Sequence, residues 1–271
     1  MAVLPITFLS DYGYEDEFAG VCRAVIAGIV PEAKVIDLTH GIARHAIREG
    51  AAVLANALPY APPGVHLAVV DPGVGSPRRA VAVRVAAEER LLVGPDNGLM
   101  WPAIEGFGGP VEAMDVSLSR FRLEPISATF HGRDVFAPIA AHLARGAELS
   151  DAGEEIPPDS LVALELSLPV IEPGRATAHV VYVDRYGNAA LDVGDGDLPE
   201  TGLRMGHPIV VEHEDRSHDG VFALTFADVP PGTLILYQDA YRKLALALNR
   251  GSAAETLGLV PGDQVVLRPG D

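Results

Sequence analysis

The chain has 271 residues, of which 48% are hydrophobic, so it can bury a substantial core as one large domain or two ordinary ones. Its formal net charge of −17 argues against a nucleic-acid partner, because the general field repels phosphate. A single cysteine, Cys22, excludes an intrachain disulfide, and neither C-x-x-C nor H-E-x-x-H occurs, so a zinc site has little support.

The opening "MAVLPITFLSDYG" lacks a basic segment followed by a long apolar one, and no signal peptide is expected. No apolar run approaches the ~20 residues that span a bilayer. The expectation is a soluble cytoplasmic protein with no membrane partner.

In chain order, "PITFLS" reads as a buried strand and "EFAGVCRAVIAGIV" as a helix closed by Pro31. "KVIDLT" is strand-like, "AIREGAAVLANALPYA" helical, and "VHLAVVDPGVG" a strand running into a turn. "AVAVRVAA" and "RLLVGPDNG" add two strands, and "RDVFAPIAAHLARGA" a helix with Pro138 near its first turn. Strands alternating with helices predict an α/β domain with a largely parallel sheet. After about residue 150 prolines multiply, and a linker is expected near residues 166 to 175. Beyond it, β-branched runs broken by Gly, Pro, Asn and Asp predict a smaller, mainly antiparallel domain, with "GSAAETLGL" as a short helix.

Open α/β sheets bind ligands beyond the carboxyl ends of their strands, and polar residues gather there. Ser10, Asp11, Glu15, Asp16 and Glu17 follow the first strand; Asp71, Arg78 and Arg79 follow "HLAVV"; Asp96 and Asn97 follow "LLVGP"; His131, Arg133 and Asp134 stand in "TFHGRD". The acidic cluster could bind Ca²⁺ or Mg²⁺ or belong to a nucleoside hydrolase, but Glu15 and Glu17 fit better as complements to a helix dipole. Asp11, directly at a strand end, can accept ribose hydroxyls. "GVGSPR" lacks a third glycine and a Walker lysine and reads as a turn. Taken alone, Asp71 and Arg78 read as an ion pair, and His131 as an ordinary loop histidine.

The segments change meaning when taken together. "FLSDYGYEDEF", "VIDLTHGI", "VVDPGVGSPRR", "GPDNGL", "TFHGRDVFAPIAAHLA", "VDRYGN", "TFADV" and "LALNRGSAAETLGL" follow one another through nearly the whole chain. In that order they resemble the S-adenosylmethionine (SAM) hydrolase family, the SAM hydroxide adenosyltransferases, which are related to fluorinase and chlorinase. The resemblance implies an α/β domain over residues 1–168 and a β-barrel-like domain over residues 174–271. It also implies a homotrimer, with ligand held between the first domain of one subunit and the second domain of a neighbour.

The resemblance places an Asp-Arg-His triad around an attacking water at Asp71, Arg78 and His131. Halogenating relatives carry a tyrosine where Asp71 lies and lack the histidine. Fluorinase also has a long insertion where "AAEERLLVGPDNG" runs straight through. Both departures favour water over halide. Asp11 is assigned to the ribose diol, Asp16 to the methionine end, Asp184 to the amino group and Asn188 to an adenine hydrogen bond. Tyr186 and Phe226 become adenine-pocket aromatics, and Asn249 lies near the nucleoside. Phe130 reads as a pocket wall and Gly132 as room for substrate. His45 stands where fluorinase has a tryptophan beside the ligand. "YQDAYRKL" lacks the Ser-Arg pair with which fluorinase holds the methionine, and Tyr241 falls roughly there.

The implied reaction turns SAM and water into adenosine and L-methionine, with SAM as substrate and no cofactor or metal. A chlorinase-like halide enzyme and a SAM or adenosine sensor without turnover are the alternatives. The sequence leaves open whether His131 takes the proton of the water or holds the water in place.

Overall fold

Strand β1 (Ile6–Ser10) is buried along its whole length, and its side chains alternate between two cores. Ile6 and Phe8 pack with helix α1 (Phe18–Ile29) on one face, while Leu9 packs with helix α2 (Ile47–Ala57) on the other. This double burial explains why the strand reads as an unbroken apolar run. In the computed structural model, which describes residues 2–270, the chain divides between Glu165 and Leu166 into two compact units.

The first unit continues with β2 (Val35–Thr39), β3 (Val65–Val69), β4 (Ala80–Val85) and β5 (Leu91–Pro95). Helix α3 (Trp101–Gly106), β6 (Pro110–Asp115), helix α4 (Ala137–Ala144) and β7 (Glu154–Ile156) complete it. The sheet order is β2-β1-β3-β5-β4-β6-β7. Strands β2, β1, β3 and β5 pair in parallel. Strand β4 runs against both β5 and β6, so β6 regains the common direction, and β7 reverses again. The sheet is therefore mostly parallel, with α1 and α4 over one face and α2 and α3 over the other.

The second unit opens with β8 (Val170–Glu172), which pairs with β9 (Arg175–Val183). The stretch expected as a linker thus already contains a strand. The unit continues through β10 (Ala189–Gly194), α5 (Leu198–Thr201), β11 (Pro208–His213), β12 (Arg216–Phe222), β13 (Leu234–Gln238), β14 (Lys243–Leu248), α6 (Ala253–Leu257) and β15 (Gln264–Pro269). The order β10-β14-β13-β12-β11-β15-β9 is closed by a β9–β10 pairing into a seven-stranded barrel. All its pairings are antiparallel except β12 with β13. Leu191, Val211, Leu236, Leu246, Val265 and Leu267 fill its interior. No helix among the described residues is long and apolar enough to cross a membrane.

Candidate active site

From β1 the chain crosses to β2 on one side, and β3 then enters on the other, so strand order reverses between β1 and β3. Such a reversal leaves a crevice beyond the carboxyl ends of the strands. Asp11 follows β1 directly, and Asp71 follows β3 after Val70.

The loop after Asp71 folds back on itself. Val74 N–H donates to Asp71 O at 3.3 Å, and Ser76 N–H to Gly73 O at 3.0 Å. Gly75 has φ 76° and sits where a Cβ would lie 2.7 Å from Ala128 O, so only glycine fits this turn. The turn brings Arg78 back to Asp71. Arg78 Nε donates to Asp71 Oδ1 at 2.9 Å and Nη2 donates to Oδ2, a two-pronged contact. The two side chains are only 11% and 6% exposed, and the guanidinium carbon lies 5.2 Å from the Phe136 ring centre.

Arg78 Nη2 also lies 3.0 Å from His131 Nδ1. A guanidinium can only donate, so Nδ1 must accept, and the proton of neutral His131 is assigned to Nε2. Burial, reinforced by the Arg78 charge, lowers the imidazole pKa below its ordinary value.

His131 stands directly before a wide helical turn (Gly132–Phe136) that leads into α4. Pro138 has no N–H for the carbonyl of Asp134, four residues back. Leu123 N–H fills that vacancy at 2.8 Å, while Ala137 N–H reaches five residues back to Gly132 O. The turn is π-helical, a geometry frequent at functional sites. Beneath it, Asp134 is buried and takes both prongs of Arg133, at 2.6 and 2.9 Å.

Gly132 leaves no room for substrate, contrary to the sequence reading. A Cβ there would overlap the Tyr12 hydroxyl and lie 2.9 Å from Tyr12 Cζ. Phe130 meets the Tyr12 and Phe18 rings edge-on, at 5.8 and 5.2 Å between centres. Burial keeps the Tyr12 phenol protonated well above its ordinary range, with Asp11 and Asp71 adding to the effect. Tyr12 was not among the expected site residues; its place directly after Asp11 was the available signal.

Asp11 Oδ2 accepts the His45 backbone N–H at 3.0 Å. His45 has a left-handed backbone, φ 66°, a conformation that costs energy outside glycine. The exposed Asp16 lies on the same loop as Asp11. Asp96 and Asn97 serve the scaffold instead. Asp96 takes Arg79 Nε at 2.9 Å and Val162 N–H at 2.8 Å, and Asn97 Nδ2 donates to Val70 O at 2.9 Å.

The second unit gathers the remaining residues around its loops. Asp184 Oδ1 accepts N–H groups from Tyr186 at 2.8 Å and Asn188 at 3.0 Å, and Oδ2 accepts Asn188 Nδ2 at 2.8 Å. Asn249 Nδ2 donates to Val229 O at 2.8 Å. Both asparagines therefore spend an amide N–H on their own framework and keep Oδ1 as an acceptor. The Phe226 ring lies 5.3 Å from Tyr237, whose phenol is pushed up to about 12 by burial and by Asp184 and Asp239.

Models of the SAM hydroxide adenosyltransferase N-terminal and C-terminal domains match residues 6–153 and 178–266. This chain belongs to that family. It is 45% identical to the (R)-S-adenosyl-L-methionine hydrolase of Salinispora tropica, over all of both chains. Identity to the Thermus thermophilus protein of the same name is 40%, covering 97% of this chain and 99% of the relative. A fluorinase from Nocardia brasiliensis is more distant, at 26% over 98% of this chain and 97% of its own. A solved structure of an uncharacterized conserved protein from Thermotoga maritima superposes with a TM-score of 0.90 at 32% identity, covering 97% of this chain and 99% of that one. Within the family's N-terminal domain fall Asp11, Asp71, Arg78 and His131; within its C-terminal domain fall Asp184, Asn188, Phe226 and Asn249.

Proposed function

We propose that this protein hydrolyses S-adenosyl-L-methionine to adenosine and L-methionine. The observation that carries the reading is the Asp71–Arg78–His131 cluster at the β1/β3 crevice, in a chain whose full-length relatives are named for this reaction. Water attacks ribose C5′ in line with sulfur. The C5′–O bond forms, the C5′–S bond breaks with its electron pair staying on sulfur, and one proton is released.

The neutral thioether leaves readily, so the difficulty lies with the nucleophile, because bulk water has a pKa of about 15.7. Arg78, always cationic, favours hydroxide character in a nearby oxygen. Its contact with His131 Nδ1 occupies the acceptor of that ring, and Nε2–H is left to hold the water by donating to it. The Asp71 carboxylate has lone pairs beyond those that Arg78 uses, and it is the acceptor for the proton. Asp11 takes the ribose diol, and Asp16 and His45 lie toward the methionine and ligand side. In the second unit, Asp184 takes the amino group, Asn188 and Asn249 serve the nucleoside, and Tyr186 and Phe226 line adenine. Such positioning can supply roughly 7–11 kcal/mol of the barrier. No cofactor enters the scheme.

The working assembly is a homotrimer in which the second unit of one subunit completes the site of its neighbour. Tyr186 and Phe226, 69% and 37% exposed in the single chain, support this reading, and sedimentation should give three times the chain mass of 28.5 kDa. A cytoplasmic location fits the lone, buried Cys22.

Incubation with SAM in ¹⁸O-water tests the function. Label in the 5′-oxygen of adenosine is the expected result, with the (R) and (S) sulfonium epimers run separately. Formation of 5′-chloro-5′-deoxyadenosine with excess chloride would reassign the protein as a halide enzyme, and absence of turnover with tight adenosine binding would make it a sensor.

A further inference from the structure

We propose that His40 is a positioning residue for the substrate, fixing the loop that carries Asp11; this rests on the ribose reading of Asp11. His40 follows β2 and makes three separate bonds to residues 10–14. Its Nδ1 lies 2.8 Å from Ser10 Oγ. Its carbonyl accepts Gly13 N–H at 2.7 Å. Its own N–H donates to Tyr14 Oη at 3.0 Å. Ser10 Oγ additionally accepts Tyr12 N–H at 3.3 Å. One residue therefore holds the loop on both sides of Asp11.

The side chain is built in. The ring is 1% exposed, lies edge-on to Phe8 at 4.6 Å and to Tyr14 at 5.4 Å, and Ser10 is wholly buried. On the far side, Nε2 lies 3.2 Å from Asp37 Oδ1, out of line for a hydrogen bond, and Arg23 Nη1 fixes Asp37 Oδ2 at 2.6 Å. A register shift places this arrangement. Phe8 faces Asp37, but Leu9 faces Thr39, so Leu38 is an extra residue in β2 and His40 arrives beside Ser10. Bulges beside active sites commonly re-aim a side chain in this way. Asp11 is then held by its own N–H to Val69 O at 3.3 Å and by His45 N–H on its carboxylate. No part of His40 is assigned to the reacting atoms.

The arrangement predicts an effect on binding more than on chemistry. His40→Ala should raise KM for SAM and weaken adenosine binding by about tenfold or more, while kcat stays within about threefold. His40→Asn, which keeps an amide nitrogen near the position of Nδ1, should recover most of the affinity. Amide exchange at Gly13, followed by mass spectrometry, should quicken in His40→Ala and return toward wild type in His40→Asn. A folded His40→Ala with wild-type KM and wild-type adenosine affinity overturns the proposal, as does a loss confined to kcat. Should His40→Ala fail to fold, Ser10→Ala removes the other end of the ring contact, and unchanged affinity there is equally decisive. Asp11→Asn separates the ribose role of Asp11 from the positioning role of His40. If it leaves adenosine affinity intact, the ribose reading falls and this inference with it. If it weakens binding while the His40 variants do not, only this inference falls.

Discussion

At the scale of single residues, the guanidinium of Arg78 decides what its neighbours can do. It donates to both Asp71 and His131, so the histidine nitrogen that a general base would use is already engaged. Asp71→Asn should therefore lower kcat by about 10²–10⁴-fold, the usual worth of a proton acceptor, with little change in KM. Steady-state kinetics check this, and a wild-type kcat in Asp71→Asn removes Asp71 from that role. The lowered pKa of His131 gives a second expectation. The ring accepts from Arg78 only when neutral, so kcat/KM should stay level from pH 8 down to about 6.5, the ordinary histidine value, and fall only below it. His131→Ala should remove that acid limb along with most of kcat. The letters D, R and H were legible in the sequence, but each had an unremarkable reading alone. Side-chain direction is what joins them, and it depends on a turn and a helix start that are remote along the chain.

At the scale of elements, the stretch from Phe130 to Pro138 departs from a regular α-helix. Its proline is visible in the sequence as a residue near a helix start. That the missing N–H yields a π turn, and that Leu123 takes the vacated carbonyl, depends on a loop packing against it. Gly132 illustrates the same limit. A glycine beside a suspected catalytic residue suggests space for a ligand, yet the space is filled from β1's loop by Tyr12. Gly132→Ala should consequently destabilise the protein by about 1–3 kcal/mol through overpacking. Tyr12→Phe in the same chain should recover part of that loss, since the hydroxyl is the nearest clashing atom. Denaturant melts of the single and double variants measure both numbers; additive losses would mean that the two residues do not compete for one space.

At the scale of the whole molecule, a buried histidine away from the site couples the first unit to pH. His66 on β3 lies beside Thr7 on β1, with Nδ1 2.8 Å from Thr7 Oγ1 and Nε2 3.1 Å from Arg90 Nη1. Burial, then Arg90, lowers its pKa to about 3. The unfolded chain takes up a proton near pH 6.5 and the folded one does not, so the stabilisation is complete above about pH 6.5. It is lost as pH falls toward 3, with a slope of up to about 1.4 kcal/mol per pH unit from this group. Urea unfolding at several pH values should show that slope, and His66→Gln should flatten it; an equal slope in the variant would assign the acid sensitivity to other groups.

What the sequence determined by itself was β1 to β5, the helices α1, α2 and α4, the strand-rich second unit with its short helix α6, and the family. Apolar runs of strand or helix length, ended by Gly, Pro and Asp, needed no distant partner to be read, because their periodicity already states which faces are buried. The ordered motifs identified the family for the same reason: they are short and contiguous. The tertiary structure decided which of many polar residues at the strand ends meet. It brought Arg78 back onto Asp71, turned His131 toward Arg78, filled the space at Gly132 with Tyr12 and set His40 beside Ser10. It also made a strand of Val170–Glu172, where prolines had suggested a linker. These outcomes depend on strand order, on one bulge and on close packing between segments far apart in the chain, none of which leaves a local mark in the sequence.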